Sequence, residues 1–213
     1  MPEVVVIDYG LGNLLSVRRG LEHCGAKVTI TSDPDTILSA SRVVLPGVGS
    51  FSQGMAELHS RGLDTVVHKV VAQGSILLGI CLGMQMLLDE SEEFGQTKGL
   101  GVIPGSVVPI FPTTGNGFSH KTPHIGWNNL VLPQDIENWE SSLLQDISPG
   151  ESVYFVHSFM ALPNNPKHRI ANCLYGEVSI PAIIGQDNIY GCQFHPEKSG
   201  EIGLKILNRF LSL

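Results

Sequence analysis

The sequence is poor in charged residues and has no long hydrophobic run. Only 15% of its 213 residues are charged, and the net charge is −7 at pH 7. A surplus of acidic residues argues against a large surface for nucleic acid or for an anionic membrane. No apolar run approaches the ~18–20 residues that a membrane span needs. The composition therefore predicts a globular protein whose partners include neither nucleic acid nor a membrane.

The four cysteines form no C-x-x-C pair. Free thiols without paired spacing are typical of a reducing cytosol, so we expect a cytoplasmic protein. Met1-Pro2-Glu3 has no positive segment ahead of an apolar run, so no signal peptide is predicted. His120 and His124 fall in a predicted loop that lacks the further ligands a zinc site requires. We therefore predict no metal and no cofactor.

The first half of the chain alternates strand and helix signals. Val4–Ile7 is a β-branched run, typical of a parallel strand buried on both faces. After it, Gly10-Leu11-Gly12 resembles the start of a dinucleotide fingerprint, but Leu15 replaces the third glycine, which favours a plain tight turn. The elements predicted next are helix 14–24, strand 27–30, helix 34–40, strand 42–45, a helix over 51–73 broken near Gly62, and strand 76–80 with a helix ending near Glu90. This order predicts a doubly wound, mostly parallel α/β sheet with flanking helices, a flavodoxin-like three-layer fold.

The second half changes to strands with few helices between them. The predicted strands are 107–111, 127–132, 153–156, 170–174, 182–184 and 189–194. Residues 112–124 are rich in proline, glycine, threonine and serine, which predicts a surface loop. Ser199 is predicted to cap a final amphipathic helix over 200–212. The length fits one domain, residues 1–213.

One cysteine lies in a glycine-rich turn between a predicted strand and a predicted helix. Cys81 is flanked by Gly79 and Gly83, each two residues away, which is the nucleophile-elbow pattern with sulfur in place of a hydroxyl. A helix N-terminus favours a thiolate, and the N–H of Leu82 would point toward a developing oxyanion. The alternative is a small core residue, which is how free cysteines usually pack.

Two of the eight histidines end predicted strands, His157 and His195. Only His195 has a carboxylate two residues later, Glu197. Pro196 favours an extended backbone before it, which would place the two side chains on the same side. Glu197 would then orient His195 as the acid of a catalytic triad does. The alternative is a plain exit from a strand.

Proline and glycine also mark the end of the third predicted strand, in Pro46-Gly47-Val48-Gly49. This segment is either a simple turn or a loop whose N–H groups face a site at the carboxyl edge of the sheet. Open α/β sheets bind ligands at that edge.

These motifs together resemble the triad, or class I, glutamine amidotransferases. The elbow over 79–85 and the segment Phe194–Glu197 carry that resemblance. Further segments resemble, more narrowly, the glutaminase subunits of imidazole glycerol phosphate synthase: residues 8–14, 45–49, 123–128, 154–158 and 195–200. The resemblance implies a type-1 glutamine amidotransferase domain over the whole chain.

The resemblance also implies roles for particular residues. Cys81, His195 and Glu197 would be catalytic, and Val48, Gly49 and Leu82 would form the oxyanion hole. The positions that would hold L-glutamine are Gly49, Gln85, His157 and Ser158. The positions that would face a partner are Asn13, Trp127, Tyr154 and Lys198.

The implied activity is hydrolysis of glutamine to glutamate and ammonia through a cysteine thioester. The ammonia would pass to a cyclase partner, a (β/α)8 barrel, which makes imidazole glycerol phosphate and aminoimidazole carboxamide ribotide in histidine biosynthesis. One alternative is a related glutaminase that feeds another synthase, such as one for amidination of a surface sugar. Two further alternatives are a cysteine peptidase with the same fold and a regulatory module that has the fold without enzymatic activity.

Overall fold

A computed structural model describes residues 1–110, 121–134, 136–140 and 142–213. Its strands are β1 (Glu3–Ile7), β2 (Lys27–Thr31), β3 (Arg42–Leu45), β4 (Ile76–Ile80), β5 (Glu90–Ser91), β6 (Thr97–Lys98), β7 (Gly105–Pro109), β8 (His124–Asn129), β9 (Ser152–His157), β10 (Phe159–Pro163), β11 (Arg169–Tyr175), β12 (Val178–Gln186) and β13 (Ile189–Cys192). Its helices are α1 (Leu14–His23), α2 (Pro34–Ser39), α3 (Phe51–Ser60), α4 (Leu63–Ala72), α5 (Leu82–Met86) and α6 (Gly200–Ser212). Two 3-10 helices cover Pro166–His168 and Pro196–Lys198.

The central sheet has the strand order β11-β12-β13-β4-β3-β1-β2. Five of these strands, from β13 to β2, pair in parallel, and β12 and β11 extend the sheet in antiparallel fashion. The predicted doubly wound, mostly parallel α/β fold is confirmed. The extra strands of the second half also form a four-stranded sheet, β10-β7-β5-β6, and the antiparallel pair β8–β9.

The central sheet is buried on both faces, as its first strand shows. Val4 and Val6 belong to one hydrophobic cluster, and Val5 and Ile7 belong to another on the opposite face. Alternate residues of a strand point to opposite faces, so a continuous apolar run is what a sheet covered on both sides requires. Burial of each such side chain stabilises the fold by about 1.5–3 kcal/mol.

Two predictions about helices are confirmed and one is wrong in its detail. The predicted break near Gly62 separates α3 from α4, and Gly62 adopts a left-handed φ of 67°. The final helix covers the predicted residues and buries Ile206 and Phe210. Ser199 precedes that helix but makes no side-chain cap. Its hydroxyl instead donates to the carbonyl oxygen of His195 and accepts from the backbone N–H of Tyr154.

The helix after Cys81 is shorter than predicted, because it ends at Met86 and not near Glu90. The carbonyl oxygens that would continue the helix accept hydrogen bonds from a distant segment. Leu100 donates to Met86, Val102 to Leu87 and Gly101 to Leu88, all through the backbone. Because these tertiary bonds satisfy the carbonyl groups of residues 86–88, the helix does not continue past Met86.

The region around residue 124 also differs from the prediction. His124 is a buried first residue of β8, not a loop residue, and the strand ends at Asn129 instead of Leu132. The predicted surface loop lies largely outside the described residues, since 111–120 are among those not described. Among the described residues, no helix is long and apolar enough to cross a membrane.

Candidate active site

Cys81 occupies a sharp turn between β4 and α5. Its backbone has φ 55° and ψ −110°, a left-handed conformation that is unusual for a residue with a side chain. Its N–H donates to the carbonyl oxygen of Cys192 at 2.7 Å, which ties the turn to β13. The residue is buried and is the N-cap of α5. The predicted elbow geometry is therefore present.

The two glycines of the elbow are required by close backbone contacts. A Cβ on Gly79 would lie 2.7 Å from the backbone nitrogen of Met84. A Cβ on Gly83 would lie 1.9 Å from the carbonyl oxygen of Leu45, at the end of β3. No side chain fits at either distance, so the spacing found in the sequence reflects the packing of the turn against its own helix and against β3.

The structure brings His195 and Glu197 to Cys81. β13 lies beside β4 in the sheet, with Cys192 paired to Ile80, so the chain leaving β13 passes the elbow. The Nδ1 atom of His195 lies 2.8 Å from Oε1 of Glu197, and these side chains are only 3% and 1% exposed. Burial lowers the pKa of His195, but hydrogen bonds with Cys81 and Glu197 outweigh it and raise the pKa to about 9.

The route by which Glu197 reaches His195 differs from the prediction. His195 is extended, with φ −99° and ψ 96°, as the following proline favours. Glu197, however, lies inside the 3-10 helix Pro196–Lys198 and not in an extended segment. A carboxylate accepts only, so Nδ1 of His195 carries the proton, and Nε2 is the ring nitrogen left for the sulfur.

The Pro46–Gly49 loop packs directly on the elbow. The buried hydroxyl of Tyr9 donates to the carbonyl oxygen of Pro46 at 2.8 Å. A Cβ on Gly47 would lie 2.8 Å from the backbone nitrogen of Gly83. Gly49 has φ +102°, which a side chain would strain. The loop is therefore held at one end by the residues that follow β1.

A cavity of about 460 Å³ opens over Cys81. That volume is in the range of sites for small molecules. Eight residues that line the cavity were predicted to catalyse, to stabilise an oxyanion or to bind glutamine. They are Cys81, His195, Val48, Gly49, Leu82, Gln85, His157 and Ser158. Glu197 lies behind His195. In the described part of the chain, no cluster of three or more histidine, cysteine or acidic residues could hold a metal ion.

Two residues of this site were missed by the sequence analysis, Glu93 and Gln193. Glu93 lines the cavity, and its Oε2 accepts from the backbone N–H of Phe51 at 2.5 Å, at the first turn of α3. No local pattern links it to α3. Gln193 is buried beside Cys81. The feature of the sequence that could have predicted this contact is its position two residues before His195.

Hydrogen bonds assign the tautomers of His157 and His124. Nδ1 of His157 lies 2.8 Å from the carbonyl oxygen of Phe159, so it carries the proton and leaves Nε2 as an acceptor. Nδ1 of His124 lies 2.9 Å from that Nε2 and is therefore the donor. Nε2 of His124 then accepts from the amide of Asn128 at 3.3 Å. Both ring nitrogens of His157 already make hydrogen bonds within the protein, so only its backbone groups can bind a ligand.

Acid is expected to destabilise the protein through these two histidines. Burial lowers the pKa of His124 to about 4 and that of His157 to about 3, from about 6.5 in an unfolded chain. Lowered values mean that the neutral rings stabilise the fold above pH 6.5, and that this stability is lost as pH falls from 6.5 toward 4. Between pH 7.5 and 5.0, the His124→Gln variant should lose about 1–2 kcal/mol less unfolding free energy than the wild type.

Urea titrations at both pH values give this difference. The matched control is His68→Gln on the exposed side of α4, which should keep the wild-type dependence. An unchanged dependence in His124→Gln would contradict the assignment of a neutral, buried pair.

The residues predicted to face a partner lie at the surface. Trp127 is 59% exposed and is paired across β8–β9 with the half-buried Tyr154, their rings meeting edge to face at 6.1 Å. Lys198 is exposed at the rim of the cavity. Asn13 is partly exposed and caps α1 through its side-chain oxygen. Their role toward a partner remains a prediction.

The fold and the site define a class of enzyme, and comparison with known proteins names it. Residues 5–212 match the family described as glutamine amidotransferase class-I, and the chain belongs to that family. Solved structures share the fold: a glutamine amidotransferase crystal structure has a TM-score of 0.72 at 16% identity, covering 98% of this chain and 99% of that one. PurLQS from Thermotoga maritima has a TM-score of 0.71 at 19% identity, covering 99% and 98%.

Relatives with higher sequence identity indicate the type of glutamine amidotransferase more narrowly. Imidazole glycerol phosphate synthase subunit HisH 1 of Legionella pneumophila (strain Lens) is 51% identical over 100% of both chains. Subunit HisH of Geobacillus sp. (strain WCH70) is 47% identical over 98% of this chain and 95% of its own. These matches confirm the predicted resemblance to this type of glutaminase subunit and do not favour the surface-sugar alternative.

Proposed function

We propose that this chain is the glutaminase subunit of an imidazole glycerol phosphate synthase. In this proposal it hydrolyses glutamine to glutamate and ammonia, and it delivers the ammonia to a cyclase subunit in histidine biosynthesis. The observation that supports this best is the arrangement of Cys81, His195 and Glu197 at one end of a small-molecule cavity. The similarity to HisH subunits over the full chain supports the pathway.

The assigned chemistry begins with the sulfur of Cys81. It attacks the side-chain carbonyl carbon of glutamine, and the carbonyl oxygen becomes an oxyanion that accepts from the N–H of Leu82 and from the Val48–Gly49 segment. Nε2 of His195 takes the proton of the Cys81 thiol as the sulfur attacks. It then gives that proton to the leaving nitrogen, which departs as ammonia and leaves a glutamyl thioester. Water, deprotonated by the same nitrogen, then releases glutamate and restores the thiol.

Charge complementarity supports glutamine as the ligand of the cavity. The amino acid carries an ammonium group and a carboxylate at its α-carbon. Among the described residues that line the cavity, Glu93 is the only acidic residue, and Lys198 is the only lysine or arginine. We assign Glu93 to the α-ammonium group, with Gln85 and the backbone of His157 and Ser158 completing the site.

The outer face of β8–β9 supports a protein partner. Ile125 and Trp127 alternate outward along β8 and are 58% and 59% exposed, and Tyr154 lies opposite on β9. Such an apolar patch is typical of an interface. The patch also adjoins the site, because His124 on the inner face of β8 bonds His157 at the cavity. We assign this face, with Asn13 and Lys198, to the cyclase subunit.

The decisive test is glutamine hydrolysis measured with and without the cyclase subunit of the same organism. We expect slow hydrolysis by the chain alone and a rise of at least tenfold when the cyclase and its nucleotide substrate are added, with ammonia consumed in synthesis. The reason is that the loop from Pro46 to Gly49 has the glycines needed for two backbone states, and glutamine turnover without an acceptor wastes ammonia.

Several outcomes would contradict the proposal. Peptide cleavage without glutaminase activity would indicate a peptidase, and a high rate independent of the partner would contradict the gated loop. In the same assay, Glu93→Gln should raise KM for glutamine and leave ammonium-dependent synthesis unchanged. An unchanged KM would contradict the assignment of Glu93.

A further inference from the structure

We propose that Gln193 is a positioning residue for the glutaminase reaction, because its amide holds the sulfur of Cys81 on one side and the amide of Gln85 on the other. This inference rests on the proposed function and assigns a further residue to the same site.

The burial of Gln193 requires that its amide be hydrogen-bonded. The residue is 0% exposed and follows directly on β13, between the buried Cys192 and Phe194. Its backbone N–H already bonds the carbonyl oxygen of Ala182 at 2.9 Å. A buried polar group without a partner destabilises a fold by about 1–3 kcal/mol, and an aliphatic side chain would fill a purely structural position at less cost. We therefore expect the Gln193 amide to make hydrogen bonds to the side chains around it, and those bonds to have a functional role.

Those neighbours belong to the site. Nε2 of Gln193 lies 3.9 Å from Sγ of Cys81, so an N–H of the amide faces the nucleophile. Oε1 of Gln193 accepts from Nε2 of Gln85 at 3.1 Å. This orientation is the only one that matches donors with acceptors, since rotating the Gln193 amide by 180° would set two NH2 groups against each other.

The same contact helps to fix how Gln85 faces the cavity. Its Nε2 donates to Gln193 and also to the carbonyl oxygen of Phe159 at 3.1 Å, so both N–H bonds are used inside the protein. Only the oxygen of the Gln85 amide remains to receive a hydrogen bond from a ligand. Gln193 and the carbonyl group of Phe159 together hold Gln85 as an acceptor at the cavity.

The contact to sulfur has a consequence for the reaction. When Cys81 is a thiolate, both the ring of His195 and the amide of Gln193 face the negative sulfur. Gln193 and His195 both lie just after the end of β13, and the side chain of each contacts the sulfur. The Gln193 donor limits the directions in which the sulfur can point and stabilises it as a leaving group when water cleaves the thioester.

The experiment uses the complex with the cyclase subunit and the variant Gln193→Met, which keeps the size of the side chain and removes both contacts. We expect kcat/KM for glutamine to fall about tenfold to hundredfold, as for loss of a hydrogen bond to a charged group, with KM raised and kcat lowered. Alkylation of Cys81 by iodoacetamide should slow, while that of the partly exposed Cys24 in the same molecule should not change. Ammonium-dependent synthesis should stay at the wild-type rate.

A second variant separates the two contacts. Gln193→Glu keeps an oxygen for Gln85 but sets a carboxylate against the sulfur, so kcat should fall at least as far as in Gln193→Met while KM stays within about twofold. Gln193→Glu also tests the inference if Gln193→Met does not fold. The control is Asn172→Leu, which removes another buried amide, bonded to Ser179, far along the sheet on β11. It should lower the melting temperature without changing glutaminase kinetics.

The inference is overturned if folded Gln193→Met or Gln193→Glu keeps wild-type kcat, KM and alkylation rates, or if alkylation of Cys81 and Cys24 changes equally. Failure of the proposed function is distinct, because the wild-type complex itself would then show no glutaminase activity.

Discussion

Replacing Cys81 by alanine should abolish glutamine-dependent synthesis in the complex with the cyclase, a loss of about 10⁴-fold or more, because the covalent route disappears with its nucleophile. Synthesis supplied with ammonium salt should continue at the wild-type rate, since the cyclase needs ammonia and not the thiol. The measurement is product formation with each nitrogen source in turn. The left-handed backbone at residue 81 is already tolerated with a Cβ, so alanine should not unfold the elbow.

Cys173→Ala is the matched control for that substitution. Cys173 is a fully buried free thiol on β11, and burial raises its pKa to about 12, so it is inert at neutral pH. Its replacement should leave both activities intact. Loss of both activities in Cys81→Ala would mean that Cys81 supports the fold or the interface and not the chemistry.

Gly83→Ala should cost the fold about 3 kcal/mol or more. The added Cβ would lie 1.9 Å from the carbonyl oxygen of Leu45, and backbone atoms on both sides cannot move away as a flexible side chain would. The elbow would then separate from the end of β3, which also positions the Pro46–Gly49 loop. We therefore expect lost glutaminase activity together with a lower midpoint in denaturant titrations.

The control for this substitution is Gly25→Ala, where no atom lies within 4 Å of the added Cβ. Gly25 has φ +83°, so alanine there should cost only about 1 kcal/mol of backbone strain. If Gly83→Ala is no more destabilising than Gly25→Ala, the close approach of the elbow to β3 does not determine the turn.

The first half of the fold follows from local patterns. From Val4 to Ile80 the strands predicted from apolar runs are present, and the break at Gly62 is where the glycine predicts it. Local sterics and burial on both faces act over a few residues, so a sequence window contains the whole cause. The errors occur where a distant segment supplies the hydrogen bonds. The carbonyl groups of residues 86–88, at the end of α5 and just after it, bond residues 100–102. His124 joins β8 because it pairs with His157.

In the active site, too, some features depend on local sequence and others on distant segments of the chain. The sequence by itself determined the elbow at Cys81, with its two glycines, and the pairing of His195 with Glu197, because each depends on neighbours within two residues. Only the tertiary structure decided that Glu93 enters the cavity and that Gln193 faces the sulfur. The Gln193 contact spans 112 residues of chain, and Glu93 reaches α3 across 42. Contacts of that range depend on strand order and packing, for which no short segment carries a signal.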